Sequence, residues 1–486
     1  MVTSSGSVVD MKTDCYTYTE ADGVRCVEIS SEAAGVSEPQ VTVHETWLSN
    51  AENPHARGRV KMSQAINGVQ THYEYAAYAA YGALYTVTTE TRVNGAAVAG
   101  QSRRTVEYVA ANGNTMREEE YALLSDGETW ALLSGVTNTY DEKNRLVGTL
   151  KDNGRSTAQT LNCSGQLLSQ TDEDGITTSY GYNSAHQLVE TIHFEAKDGD
   201  VVVTPETITT YTHDAAGRTL TTRRDIGAMT TTESTAYDAL GRVISQTDIL
   251  GRVTTTHYSE DELTTTVTTP AGATTITQRN QDGSTARISG TAQREEVYLQ
   301  GISGNNLRSE QQLADGTILS QSLTNGFGEN VVQAQPNTLG GFIYTHSEYN
   351  AKGQMVKLYQ NTGEDSENTA PTLFEYDKFG NQVKQTLALS ATPTKDNSPV
   401  TEIAYSVEFA EDGVYSVTTQ TRYNAEGQPL TSTQKQLISQ LSHTLENKSV
   451  FVSERGLTSF RWTEYSGDKK RVQYSTGQAH PSPPRR

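Results

Sequence analysis

The sequence predicts an all-β chain built from repeated antiparallel hairpins, and three observations carry that expectation. The first is a recurring phrase in which an aromatic residue is followed by Asp or Asn and, three residues after that acid or amide, by Gly. Tyr237-Asp238-Ala-Leu-Gly241-Arg242 is its clearest copy. The second is spacing: positions 140, 161 and 182, and again 237, 258 and 279, stand 21 residues apart, too short for a paired-helix repeat and right for two strands and two turns. The third is composition. Hydrophobic residues make up only 34% of the 486, and 25 Tyr outnumber 8 Phe and 3 Trp, with Thr abundant, so the strands fit a pleat while tolerating a wet face.

Residues 1–104 form an N-terminal β-rich region. Gln40–Trp47 and Tyr85–Val93 read as strands and Glu52–Gly58 as a loop, while Tyr73–Tyr81 fits either a short helix or a strand. A turn at Ala21-Asp22-Gly23 would set Cys15 opposite Cys26, leaving open a disulfide or two reduced thiols. Cys163 sits in a turn without an evident partner.

Residues 105–430 carry the repeats. Anchors are Tyr140-Asp141, Tyr182-Asn183, Asp214 with Gly217 and Arg218, Tyr237-Asp238 with Gly241 and Arg242, Tyr349 with Gly353, Tyr376-Asp377 with Gly380, and Tyr423 with Gly427. In each, the Asp or Asn side chain caps its own turn by accepting from the backbone two residues on, and Gly supplies the positive φ that closes a bulged hairpin. Asp248 to Gly251, followed by Arg252, repeats the device at the opposite end of the next strand. The 27-residue interval from Tyr349 to Tyr376 reads as a loop insertion. One Arg per turn suits bridging to neighbouring carboxylates or carbonyls, and the Tyr ladder suits cross-strand packing.

Residues 431–486 continue the β region and end in a disordered tail. Leu437, Leu441 and Leu445 stand four apart, which admits a helix over Gln434–Glu446, while Val450–Val452 and Phe460–Trp462 read as strand.

Charge narrows the function classes. The net charge of −20 repels nucleic acid and anionic membrane surfaces, and no apolar run reaches the ~20 residues of a membrane span. The first twenty residues show no secretory leader. No catalytic motif is present, and no metal or cofactor is expected: His44 and His55 lie eleven apart, and Asp172-Glu-Asp174-Gly175 lacks the rest of a calcium loop and falls where the repeat places a turn. The sequons at Asn162 and Asn447 need no explanation beyond chance.

The phrase carried by Tyr140-Asp141, Tyr237-Asp238-Ala-Leu-Gly241-Arg242-Val243 and Tyr376-Asp377-Lys-Phe-Gly380 resembles the Rhs, or YD-repeat, family over roughly residues 105–430. This family includes the shells of Tc toxin B and C components and of teneurins. The resemblance implies a β-ribbon spiralling into a hollow shell around a toxin or other polypeptide, together with further shell segments, in a secreted or surface-displayed bacterial system. Family members that cut themselves use an Asp-Pro-x-Gly-Leu core, whereas none of the 12 prolines here follows Asp. Neither self-cleavage nor a cargo within this chain is therefore expected. The rival reading is an adhesin-like ribbon whose aromatic ladder binds surface glycans.

Overall fold

The computed structural model describes residues 2–476 apart from positions 5, 6, 10, 35, 51, 52, 199, 200, 339, 362–369, 391, 396, 424–426, 443, 444, 467 and 468. The described residues are almost wholly antiparallel strands, and the one helical turn among them is Pro54–Ala56. The fold class is therefore as the sequence predicts. The proposed tail at 477–486 and the insertion at 362–369 lie outside the described residues, as does Asn424.

The chain divides into two compact units. Unit 1 comprises residues 1–155, 302–307 and 323–486; unit 2 comprises 156–301 and 308–322. Within unit 2 the strands pair with their chain neighbours. Thr207–His213, Thr219–Ile226, Met229–Tyr237, Val243–Thr247, Val253–Tyr258, Thr264–Thr268 and Thr274–Arg279 follow one another across an antiparallel ladder. Register shifts recur where the repeat aromatic meets its turn, as between Ala236 and Tyr237, so the bulge expected from the turn chemistry is present. A small separate hairpin, Ala196–Asp198 with Val201–Thr204, stands out between two repeats.

Unit 1 uses the same ladder but adds a core. Ala122, Ala131, Leu133, Val407 and Val414 form one buried cluster, and Tyr415, Val417 and Leu437 form a second. Thus residues 122–133 and 407–414, about 280 positions apart, share one buried apolar cluster.

Three local expectations are corrected or resolved. Ala21 pairs with Val24 across a two-residue turn, which fixes the register so that Cys15 faces Ser30 and Cys26 faces Thr19. The two thiols are not opposite each other, and both are free. Gln434–Glu446 is not a helix: Pro429–Leu437 and Leu445–Val452 are strands, and Leu437 and Leu445 belong to the second apolar cluster. Of the two readings of Tyr73–Tyr81 the strand holds, within Val69–Ala77.

Candidate functional site: a turn lattice and a seam

Each repeat turn is assembled by its first side chain. Asp238 N donates to Arg242 O at 2.9 Å and Gly241 N to Asp238 O at 3.1 Å. The Asp238 carboxylate accepts from Arg242 N at 2.9 Å through Oδ1 and from Arg242 Nε at 2.7 Å through Oδ2. The same arrangement recurs at Asp141 with Arg145, Asp214 with Arg218 and Asp248 with Arg252. Hydrogen bonds from these arginines hold the carboxyls of Asp141 and Asp248 below the usual range. For Asp214 the Arg218 backbone N–H leads. For Asp238 partial desolvation opposes the shift, and Arg242 outweighs it.

Where the first residue is Asn, the partner four positions on changes with it. Asn183 donates Nδ2 to Gln187 Oε1 at 2.7 Å, Asn350 to Gln354 Oε1 at 2.9 Å and Asn325 to Glu329 Oε2 at 2.7 Å, while each Asn Oδ1 accepts the backbone N–H that Asp would take. An acceptor-only carboxylate is matched to a donor-only guanidinium, and an amide to an acceptor. At these turns the pairing is readable from the sequence as Asp with Arg and Asn with Gln or Glu at i and i+4; Asp377, which accepts from Asn381 Nδ2 at 3.1 Å, departs from it.

The turns are then laced along the ribbon edge by the repeat tyrosines. Tyr182 OH donates to Leu167 O at 2.9 Å, Tyr237 to Thr219 O at 3.1 Å, Tyr258 to Val243 O at 3.2 Å, Tyr349 to Asn330 O at 3.2 Å and Tyr376 to Met355 O at 2.6 Å. In every case the acceptor is the residue directly after the preceding turn on the same edge. Tyr140 does likewise to Thr115 O at 2.8 Å. Arginine adds the forward link: Arg218 Nη1 reaches Asp238 O at 3.1 Å with its guanidinium 4.8 Å from the centre of the Tyr237 ring, and Arg242 Nη1 reaches Glu262 Oε1 at 2.9 Å over the Tyr258 ring. Arg218 and Arg242 thus make the expected bridges along the ribbon, the Arg252 guanidinium binds Asp248 of its own turn, and the tyrosines hydrogen-bond as well as pack. Tyr423 stands apart, since its hydroxyl donates to Glu402 at 2.6 Å and accepts from Lys395 at 2.7 Å.

Gly217, Gly241, Gly251, Gly353, Gly380 and Gly427 all take positive φ, as the turn demands. Asn144, His186 and Glu262 adopt the same conformation without being glycine. Asp172 caps its turn by accepting from Asp174 N and Ile176 N, so that acidic pair serves a turn. His55 stacks on Tyr85, and no group of three or more His, Cys, Asp or Glu that could hold a metal occurs among the described residues. No helix among those residues is long and apolar enough to cross a membrane.

Unit 1 contains a second feature that the sequence does not announce: a seam between chain segments about 280 to 315 residues apart. Gln101 Nε2 donates to Asp377 Oδ2 at 2.8 Å, and Asn381 Nδ2 donates to Gln101 Oε1 at 3.1 Å. Asn67 Nδ2 reaches Phe379 O at 3.4 Å and Gln40 Nε2 reaches Glu329 Oε1 at 3.3 Å. Backbone bonds reinforce these contacts, from Ser125 N to Val407 O at 3.1 Å and from Gln440 N to Leu133 O at 2.6 Å. A Cβ at Gly326 would collide with the carbonyl of Met11, so glycine there permits the close approach. Three repeat turns, at 325–329, 350–354 and 377–381, lie along this seam, and none carries Arg at its last position.

Beside the seam, unit 1 holds a charged network on one face of its first strands. Glu90, 7% exposed, accepts from Arg92 and Arg104; Glu119, 8% exposed, accepts from Arg117, Tyr108 and Tyr121. Burial and the bond to Glu119 push the Tyr121 hydroxyl up to about 12, while desolvation of Glu119 itself is outweighed by its three donors. Glu90 and Glu119 are both paired, so the network fixes the local strand arrangement.

The geometry defines an antiparallel β-ribbon repeat protein whose turns and edge are its most elaborated parts. The family comparison agrees: the RHS Repeat family model matches residues 164–196 and 237–274. No curated protein matches the sequence. Among solved structures it is similar to a chain of the TcdB2-TccC3-Cdc42 crystal structure, at 10% identity and a TM-score of 0.35, covering 94% of this chain and 33% of that one. It is also similar to TcdB2-TccC3-TEV, at 9% identity and a TM-score of 0.30, covering 90% and 31%, and to a Photorhabdus luminescens Tc holotoxin pore, at 9% and 0.28, covering 93% and 33%. The chain spans about a third of the length of those chains.

Proposed function

We propose that this chain is a structural wall segment of an Rhs-type shell, enclosing or scaffolding a toxin or other partner polypeptide alongside further shell segments, without catalysis of its own. Its setting is a secreted or surface-exposed bacterial system, and the repeat wall spans residues 105–430, with the named Tyr, Asp, Asn, Gly and Arg residues as its anchors. The observation that carries the reading is the edge lattice of unit 2. There, strands with both faces partly open to solvent are held by Asp-Arg turns and Tyr-to-carbonyl bonds without any buried hydrophobic side chain among the described residues. A β-ribbon that needs no core on either face is suited to being a wall with an inside and an outside. Cryo-electron microscopy of the purified chain tests this: a curved or hollow wall is expected, and a solid globule would overturn it. Intact mass after prolonged incubation tests the absence of self-cleavage, with an unchanged mass expected.

A further inference from the structure

The strand Lys12–Ala21 is exposed along its whole length, with Tyr16 55% and Tyr18 66% exposed. It pairs on one side with Val24–Ala33, and among the described residues Val24–Ala33 is the one strand in extended contact with it. A ten-residue edge of this kind, rich in Tyr and Thr and free of Pro, is a ready template for another strand.

The turn that follows decides which backbone groups are free. Asp22 and Gly23 both take positive φ, 50° and 74°, in a two-residue hairpin loop of the primed type. Such a loop makes Ala21 and Val24 a hydrogen-bonded pair, and bonded pairs alternate along an antiparallel ladder. The ladder to Val24–Ala33 runs without a register shift. Thr13, Cys15, Thr17, Thr19 and Ala21 therefore turn their N–H and C=O groups inward, whereas Lys12, Asp14, Tyr16, Tyr18 and Glu20 aim theirs at solvent.

We propose that this edge pairs with a second copy of the chain, antiparallel, about a two-fold axis at Tyr16. Among the registers that keep outward groups opposite outward groups, the one centred on Tyr16 brings all five outward residues into the ladder. It sets Lys12 of each copy opposite Glu20 of the other, Asp14 opposite Tyr18, and Tyr16 opposite itself, so charges are complementary and the aromatic residues meet at the centre. Sliding by one pair in one direction sets Asp14 opposite Glu20; sliding in the other leaves Glu20 without a partner. The existing ion pairs of Lys12 with Asp14 and of Glu20 with Arg25 are solvent-exposed, so exchanging them for pairs across the axis costs little. The inference stands independently of the shell reading, since it concerns only this edge.

Sedimentation equilibrium of the full chain from low to high micromolar concentration tests it, with a monomer–dimer equilibrium expected. Tyr16→Pro removes both N–H donors at the axis yet leaves the strand's own hairpin intact, because position 16 makes no backbone bond to Val24–Ala33. It should weaken dimerisation roughly 30-fold with an unchanged circular dichroism spectrum. In a second variant, Thr17→Cys, the new thiol faces Cys15 of the other copy, and with oxidised glutathione as electron acceptor peptide mapping should find a disulfide between them. A monomer at every concentration would overturn the proposal. So would a dimer indifferent to Tyr16→Pro, or one that links the new thiol to Cys26 or Cys163 instead.

Discussion

Every buried hydrophobic side chain among the described residues, from Ala56 to Leu437, lies in unit 1, whereas unit 2 buries only Thr209. Both units are made from the same hairpin with the same capped turn. The difference arises where a second layer of chain is available: in unit 1 the strand end at Gln40 and the loops around Asn67, Gln101 and Ser125 meet the repeat turns near Glu329, Phe379, Asp377 and the strand at Val407, and a core forms beside Val407. In unit 2 the described residues form no buried hydrophobic cluster, and the turn lattice holds the strands. The hairpin repeat is thus self-supporting at its edges, and hydrophobic burial is added by layer-to-layer docking rather than being a condition of the fold.

The sharpest way to break this contrast is to attack the seam alone. Val407 is 2% exposed within the first apolar cluster, so Val407→Asp places an uncompensated charge there and should cost unit 1 about 3–5 kcal/mol. Hydrogen exchange resolved by peptide should show 122–133 and 400–440 opening while 207–279 keeps its protection. Simultaneous loss of protection in both units would mean that the lattice of unit 2 depends on the seam after all.

The complementary attack is on a turn of unit 2. Gly251 has φ +75° and nothing near the position a Cβ would take, so Gly251→Ala measures backbone strain without a clash. A loss of about 1–2 kcal/mol is expected, confined to the hairpin Val243–Tyr258. Since Asn144, His186 and Glu262 hold the same conformation, the strained turn should still form. Urea unfolding followed by exchange at this hairpin gives the answer.

How these two features appear in the sequence follows from the range of the forces that make them. The turns were legible because Asp, Gly and Arg act within five residues, so that a capped hairpin can be read from one phrase. The paired strands followed from it. The misplacement of Cys15 and Cys26 came from ignoring that same local rule: with Ala21 and Val24 paired, position 15 must face position 30. The seam was illegible because Gln101 and Asp377 share no motif and are brought together only after the intervening chain has folded. Likewise the Leu437, Leu441 and Leu445 spacing imitates a helix, yet two of the three leucines are at facing strand ends that pack on Tyr415 and Val417.

Gln101→Ala sharpens the comparison on the polar side of the seam. It deletes the amide that both donates to Asp377 and accepts from Asn381, a loss of about 1 kcal/mol for partly buried bonds, with the apolar cluster untouched. Exchange should quicken at 98–104 and 376–382 and leave 122–133 unchanged. An effect spreading into the cluster would show that polar and apolar parts of the seam form one cooperative unit.

The smallest effect expected separates packing from hydrogen bonding in the Tyr ladder. Tyr258→Phe keeps the ring beneath Arg242, whose guanidinium lies 4.4 Å from its centre, and removes only the hydroxyl that donates to Val243 O at 3.2 Å. If edge lacing is what holds a ribbon without a core, unit 2 should lose about 0.5–1.5 kcal/mol, because the Val243 carbonyl is left facing the ring with its donor gone. If the ladder acts by packing alone, the loss should be indistinguishable from zero. The same substitution at Tyr423 is the control: its hydroxyl meets Glu402 and Lys395 rather than a backbone carbonyl at the preceding turn, so Tyr423→Phe should leave strand protection unaltered and change only the local ion pair. A measurable drop at Tyr258 with none at Tyr423 would tie the stability of the bare wall to the tyrosine-to-carbonyl bond itself, and so to the residue that defines the repeat.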